Sequence, residues 1–499
     1  MSPTGYLHIG GIRTALFNYL FAKKHGGEFL LRIEDTDQAR FVEGAEKYII
    51  DTLNWCGIPP DNSINPDGTV KYKQSQREYQ SYAETLINSG HAYYAFDSTE
   101  ELEAMRGALK AAQSPNIGYN SITRVNMKNS FTLSADEVKN LLDSGASYVI
   151  RFNMPVDESI VVSDSVKGTA TFDSKQLDDK ILFKSDGLPT YHLANVVDDH
   201  LMEITHVIRA DEWFSSTPLH LMLYKAFGWD APEFCHLPLV LGPDGQKISK
   251  RKLAKYGFPI LPFACDFQDD KGVTIHAQGF KEEGYEPEAL INFIALVGWN
   301  PGENKELMSM DEMISIFDLN RVNNSGAIFD IVKLNDFNAR YVRCMNVSYA
   351  FTEYISPNIP DGKLPAVAPA KWPDVVNIAV ERTVFAKDMY KHVSYFFEPV
   401  VLKDDVTLKN SIEFCKTIEA FVNLNFTDKE WTRDEIHSCL EVLCNAYKIK
   451  LGKIMPDLRM ALTGGAPGPD LALTMYILGQ EESKNRINNL LIKTKKVVE

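Results

Sequence analysis

At 499 residues the chain is too long for one hydrophobic core, and at roughly 100–200 residues per domain it is expected to hold three or four. Its 52 Lys and Arg against 67 Asp and Glu leave a formal charge of −15, which excludes a general basic coat for nucleic acid but leaves room for a local basic groove. Seven cysteines without a CxxC pair, no run of eighteen apolar residues and no basic-then-apolar opening segment argue against disulfide-framework, membrane-spanning and secreted classes, so reduced thiols in the cytoplasm are expected.

In chain order, Ile12 to Lys24 carries Ala15, Leu16, Phe17, Leu20 and Phe21 near a 3.6-residue period and ends in His25-Gly26-Gly27, which predicts a helix. Phe29 to Ile33 reads as a short buried strand that stops at Glu34-Asp35-Thr36-Asp37. A helix through Ala45, Ile49, Ile50 and Leu53, and another from Gln76 to Asn88 closed by Gly90, complete one wound α/β unit. From Ala92 to about Lys184, short strands such as Tyr148 to Phe152 mix with helical stretches, as in an insertion. Alternation resumes with a strand at Ile204–Ile208, a helix at Pro218–Phe227 and a strand at Leu237–Leu241. Pro259 to Gln278 is polar and reads as a surface loop or small insert. Beyond Asp330 the pattern is nearly all helical, with a capping box at Thr432–Glu435 and a last helical stretch carrying Leu473, Ile477, Ile487 and Leu491.

Two segments carry chemistry. Ser2-Pro3-Thr4-Gly5-Tyr6-Leu7-His8-Ile9-Gly10-Gly11 runs into the first helix. Gly10 and Gly11 let backbone approach a ligand, the helix N-terminus offers N–H groups to an anion such as triphosphate, and His8 is placed to donate to a phosphate. The alternative is a turn with a surface histidine. Gly242-Pro243-Asp244-Gly245-Gln246-Lys247-Ile248-Ser249-Lys250-Arg251-Lys252 places two lysines three apart in a glycine-flanked loop that can fold over a triphosphate and neutralise the leaving pyrophosphate. Taken alone it reads more readily as a solvated basic loop.

Taken together, with α/β units between them, the two segments resemble the ATP-binding signatures of class I aminoacyl-tRNA synthetases. Ser2-Pro3-Thr4-Gly5, Arg13 to Asn18, Arg32-Ile33-Glu34-Asp35-Thr36-Asp37, Pro189 to His200, Val207 to Trp213 and Ala461-Leu462-Thr463-Gly464 look like bacterial-type glutamyl-tRNA synthetase over nearly the whole chain. The resemblance implies an α/β class: a Rossmann-like catalytic domain with an α+β insertion, followed by an all-α anticodon-binding region. It divides the chain into 1–91 (first catalytic half), 92–184 (acceptor-stem insertion), 185–252 (second half with the KISKR loop), 253–330 (stem contact with a loop insert) and 331–499 (anticodon region). It further implies glutamyl-adenylate formation from glutamate and ATP, with Mg²⁺ accompanying the nucleotide, then transfer to tRNA(Glu), with tRNA(Gln) left open. A monomer without membrane attachment is expected.

By the same resemblance, His8, Gly10, Gly11, Lys247, Ser249 and Lys250 handle ATP, with His8, Lys247 and Lys250 catalytic and Glu212 and Trp213 on the adenosine side. Ser2, Glu34, Tyr191, Asn195 and Arg209 would hold glutamate: Glu34 its ammonium, Arg209 a carboxylate through two parallel hydrogen bonds. The bland alternatives are a solvated acidic loop for Glu34, an ion pair for Arg209, and core or turn packing for Tyr191, Asn195 and Trp213. His192, His200, His437, Cys439 and Cys444 read as structural. Arg382, Lys387, Tyr390 and Lys391 are candidates to meet RNA, but each taken singly reads more readily as helix-surface charge.

Two departures from the family stand out. The family begins one strand earlier, with an arginine upstream of SPTG that helps to hold the glutamate side chain, whereas Met1 directly precedes Ser2 here. Either the chain is shortened at its start, or a ladder partner and a substrate cation are lost, which gives the alternative of a catalytically impaired RNA-binding paralogue. Secondly, some relatives bind zinc through cysteines in the insertion. No cysteine lies between Cys56 and Cys235, so no structural zinc is expected.

Overall fold

In a computed structural model of the chain, which describes residues 1–249, 256–268, 272–302, 304–360, 367–402, 412–423 and 430–498, the first apolar stripe forms helix α1 (Ile9–Lys24). Ile12, Leu16, Phe17 and Leu20 are fully buried on it, and His8 caps its start: Gly10 N donates to His8 Nδ1 at 3.0 Å. Gly26, at φ +68°, closes the other end, where only a residue without Cβ is unstrained.

The chain divides into two compact units, one of residues 1–280 and 290–330, the other of 281–289 and 331–499. In the first unit, strand β1 is only Arg32–Ile33, paired in parallel with β2 (Tyr72–Lys73). The expected strand from Phe29 is shorter because side chains take over its donors: Phe29 N meets Asp61 Oδ2 at 2.7 Å and Leu31 N meets Ser63 Oγ at 2.8 Å. Helix α2 spans Ala45–Trp55, and α3 begins at Gln80, four residues later than expected, because Gln74–Gln76 forms a 3₁₀ turn and Arg77 is extended. Met1 runs beside β1, its N donating to Arg32 O and its carbonyl accepting from Glu34 N at 2.9 Å.

The segment read as an insertion contributes to two sheets. Strands β3 (Ala92–Ala95), β4 (Val149–Phe152) and β7 (Ile181–Phe183) form an antiparallel sheet in the order β3-β4-β7. Between them, β5 (Ser159–Asp164) and β6 (Gly168–Asp173) join β8 (His206–Ala210) and β9 (Glu233–Leu237) in the order β6-β5-β9-β8. β8, β9 and β5 run parallel, and Asp164 pairs with Phe234. The strand expected at Leu237–Leu241 is displaced: β9 ends at Leu237, Pro238 lacks the N–H for a ladder, and Val240–Leu241 forms a separate short strand, β10, paired with Ala327–Ile328. Helices α6 (Tyr191–Leu201) and α7 (Thr217–Phe227) pack on this mixed sheet through Leu193, Val196, Val197 and Leu223. The polar stretch after Pro259 contains an antiparallel hairpin, Cys265–Gln268 with Thr274–Ala277.

The second unit is helical, with Ile378, Phe396, Phe421, Leu440, Leu458 and Met475 in its core. Thr432 caps the helix Arg433–Ala446. The last helical stretch is two helices, Leu471–Leu478 and Gln480–Val498, broken at Gly479 with φ +85°.

Candidate active site

The candidate residues gather at the carboxyl ends of parallel strands, where open α/β sheets bind ligands. Glu34 follows β1, Arg209 ends β8 and the 3₁₀ turn Asp211–Ser216 carries Glu212 and Trp213. Helix α1 is fixed to the same edge: Asn18 Nδ2 donates to Ile208 O at 3.0 Å, and buried Arg13 donates to Pro238 O and to Val297 O.

Around Glu34 the charges are paired. Arg32 donates to Glu34 Oε1 at 3.2 Å, Asn195 Oδ1 at 2.9 Å and Asp199 Oδ1 at 2.7 Å, with Asp198 Oδ2 at 3.6 Å. Asn195 Nδ2 donates to Asp199 Oδ2 at 2.8 Å, so both ends of this amide are fixed. Burial pushes the Glu34 carboxyl up, but the Met1 amino group and Arg32 outweigh it and hold the group below its ordinary value. Asp199 goes the other way: its burial outweighs Arg32. Ser2 is exposed and donates to Thr4 Oγ1 at 3.4 Å.

Arg209, 8% exposed, meets five partners with its five N–H groups. Nε faces His236 Nε2 at 2.9 Å; Nη1 faces Tyr191 Oη at 3.1 Å and His220 Nδ1 at 3.3 Å; Nη2 faces Trp213 O at 3.2 Å and Thr217 Oγ1 at 3.1 Å. No N–H of the guanidinium is left over, so a carboxylate taking two parallel hydrogen bonds from Nη1 and Nη2 would have to displace two of these partners. Trp213 is not core: it is 37% exposed, with its ring 4.4 Å from that of Tyr191. Burial, with the charge of Glu34, pushes the Tyr191 phenol up to about 12, so it stays a neutral donor.

On the phosphate side, with His8 Nδ1 accepting from Gly10, the proton of the neutral ring sits on Nε2. A Cβ at Gly11, where the wider class often has a second histidine, would meet Leu7 Cδ1 at 2.4 Å, so a side chain there requires Leu7 to move. Lys247 Nζ is ion-paired with Glu212, both about half exposed, so two residues expected at opposite ends of ATP meet each other. Ser249 N donates to Tyr256 Oη at 3.3 Å, and the ring of Tyr256 fills the space a Cβ at Gly242 would need. Lys250 lies outside the described residues.

Arg32, Asp199, Asp164, His220 and His236 escaped the residue-by-residue reading. The one signal for the acids was Asp198-Asp199 in a helix whose other face is apolar. Of the residues read as structural, His200 stacks on Trp229 with centroids 3.8 Å apart, Cys439 and Cys444 lie in the helical core and His437 faces Glu441 at 3.4 Å, whereas His192 Nδ1 lies 3.1 Å from His220 Nε2, next to Arg209. Arg382, Lys387, Tyr390 and Lys391 bond to Gly468 O, Glu282 O, Glu398 and Asp388, which favours surface packing for each.

The family model for class I tRNA synthetases (E and Q), catalytic domain, matches residues 2–259 and 270–336, and the anticodon binding domain matches 350–491. The chain thus belongs to the class I tRNA synthetases of the glutamyl and glutaminyl type. Within that class it falls among the glutamate--tRNA ligases. It is 45% identical to the glutamate--tRNA ligase of Amoebophilus asiaticus over 98% of this chain and 96% of that one. It is 47% identical to that of Cytophaga hutchinsonii, with the same coverage. A glutamate tRNA ligase from Elizabethkingia meningosepticum, solved in complex with its amino acid, superposes with a TM-score of 0.88 at 41% identity, covering 99% of this chain and 98% of that one. Among the described residues no helix is long and apolar enough to cross a membrane.

Proposed function

We propose that the chain joins L-glutamate to tRNA(Glu) in two steps at this strand edge. An oxygen of the glutamate α-carboxylate attacks the α-phosphorus of ATP and pyrophosphate leaves. The terminal ribose hydroxyl of tRNA then attacks the glutamyl carbonyl and AMP leaves. The observation that carries the reading is that two sets of contacts lie at one strand edge: Arg32 with Glu34 and Asn195, and Arg209 with Tyr191 and Trp213 O, the latter one residue from the Glu212–Lys247 ion pair.

Side chains do little covalent work in such a reaction; they position reactants and stabilise charge. Arg209 and Tyr191 orient the substrate carboxylate, and Glu34 meets the ammonium. Lys247 leaves Glu212 for the phosphates, joined by His8 Nε2–H and Lys250. The donors His8 and Lys247 suit phosphate oxygens rather than a metal ion, and Mg²⁺ supplied with ATP would add charge neutralisation on the phosphates. Zinc has no place in this reading. A monomer in the cytoplasm is the proposed working state, with tRNA(Gln) as a possible second acceptor to be distinguished by assay. The impaired-paralogue alternative has no support among the relatives, which are named as ligases over nearly their full length.

The test is glutamylation of purified tRNA(Glu) and, separately, tRNA(Gln), with ATP, Mg²⁺ and tRNA present in every reaction. Formation of glutamyl-tRNA with stoichiometric AMP is expected. Absence of both overturns the reading.

A further inference from the structure

Behind Arg209 lies a buried carboxylate–imidazole pair that none of the proposed substrate contacts uses. Asp164, at the end of β5, and His236, on β9, have no exposed side-chain surface. Asp164 Oδ1 accepts from Val166 N at 3.0 Å and Lys167 N at 2.8 Å; Oδ2 accepts from His236 N at 3.0 Å and His236 Nδ1 at 2.6 Å. An oxygen pair facing four donors is an acceptor only, so the ring proton belongs on Nδ1. In the neutral ring Nε2 is then a lone pair, and it faces Arg209 Nε at 2.9 Å and Thr217 Oγ1 at 3.3 Å. The opposite tautomer would set donor against donor at a group that cannot give up its proton.

His220 repeats the arrangement on the far side. Its Nδ1 faces Arg209 Nη1, and its Nε2 faces His192 Nδ1 at 3.1 Å. Burial, with the charge of Arg209, holds His220 and His236 below their ordinary values, so both rings stay neutral acceptors.

We propose that Asp164 and His236 are positioning residues for glutamate recognition, acting through Arg209. The carboxylate fixes the imidazole tautomer, the imidazole fixes the guanidinium plane, and the fixed plane presents Nη1 and Nη2 to the substrate carboxylate. The proposal rests on the reading that Arg209 meets glutamate. It also gives the stretch 159–164, which the sequence assigns to an RNA-binding insertion, a part in the amino-acid pocket.

The test contrasts His236→Gln with His236→Asn in the full chain, assayed with tRNA present. Glutamine can place an acceptor where Nε2 lies; asparagine reaches only the Nδ1 position, facing Asp164. His236→Gln should keep the glutamate KM within about threefold of the parent. His236→Asn should raise it by about tenfold or more, with the KM for ATP and for tRNA unmoved, because a buried donor of Arg209 is left without a partner. Equal effects of the two substitutions on glutamate KM overturn the proposal. Arg209→Leu, run alongside, tests the underlying reading: an unchanged glutamate KM there removes Arg209 from the substrate. A raised KM there with equal Asn and Gln variants overturns the positioning role alone. Independently of any variant, ¹⁵N shifts of the histidines in the unmodified protein should show His236 protonated at Nδ1; protonation at Nε2 alone overturns the proposal.

Discussion

Replacing Arg32 with methionine, which fills a similar volume without charge, puts the electrostatics of the glutamate side to the test. Arg32 is 13% exposed at its side chain and serves Glu34, Asn195, Asp198 and Asp199 at once. Its loss leaves Asp199, 5% exposed, and Glu34 without their shared cation. Removing one partner of such a buried group costs about 3–5 kcal/mol. At roughly 1.5 °C per kcal/mol for a unit of this size, the ligand-free melting temperature should fall by about 4–8 °C at pH 8. The sign of the pH dependence is fixed as well. In the parent, Glu34 titrates below its ordinary value, so its contribution is present above the unfolded-chain value of about 4.3 and is lost as pH falls through the lower folded one. In the variant, burial and the neighbouring carboxylates dominate and raise these groups; the penalty grows with pH and eases on acidification. Thermal unfolding followed by tryptophan fluorescence should therefore show the gap between parent and variant wider at pH 8 than at pH 5. A gap that is constant, or wider at pH 5, refutes the reasoning.

Lys247→Ala should lower tRNA-dependent pyrophosphate exchange by roughly a hundredfold while tRNA affinity stays within twofold, since the lost charge acts on the leaving group; an unchanged exchange rate removes Lys247 from the chemistry. Its partner Glu212 is half exposed, so the melting temperature should hardly move. Gly11→Ala forces Leu7 aside and should raise the ATP KM several-fold, with recovery on adding Leu7→Ala; equal ATP KM in parent and single variant contradicts the crowding argument. Elemental analysis of purified protein should find no stoichiometric zinc, because 92–184 contains no cysteine; one zinc per chain would overturn this.

Local signals in the sequence were readable because they depend on neighbours in the chain. The 3.6-residue stripe of Leu16, Phe17 and Leu20 locates α1, and the run from Ala45 to Leu53 locates α2. Strand lengths were overread where side chains supply the hydrogen bonds, as Asp61 and Ser63 do for Phe29 and Leu31. Tyr191, Asn195, Arg209, Glu212 and Trp213 were identified by likeness, and the structure brings them to one edge. Their supports were not legible. The Asp164–His236 pair depends on the register of β5 against β9, and the Arg32–Asp199 pair on which face of α6 meets β1; neither follows from spacing. The ion pair of Lys247 with Glu212 likewise joins loops 35 residues apart.

The hairpin at Cys265–Ala277 has its root at the start of α1, where Ile9 N donates to Ile260 O at 3.0 Å and Tyr48 Oη is shared by Phe263 N and O. The first amide of the helix is thus tied to a carbonyl, and an anion arriving there meets a helix mouth already narrowed by one donor. The family match pauses at 260–269, within this same segment. The residues the match leaves out thus include Ile260 and Phe263, the two that tie this segment to the start of α1 and to Tyr48. A substitution that shifts the backbone at Ile260 would free the first amide of α1 and change the number of N–H groups its N-terminus offers.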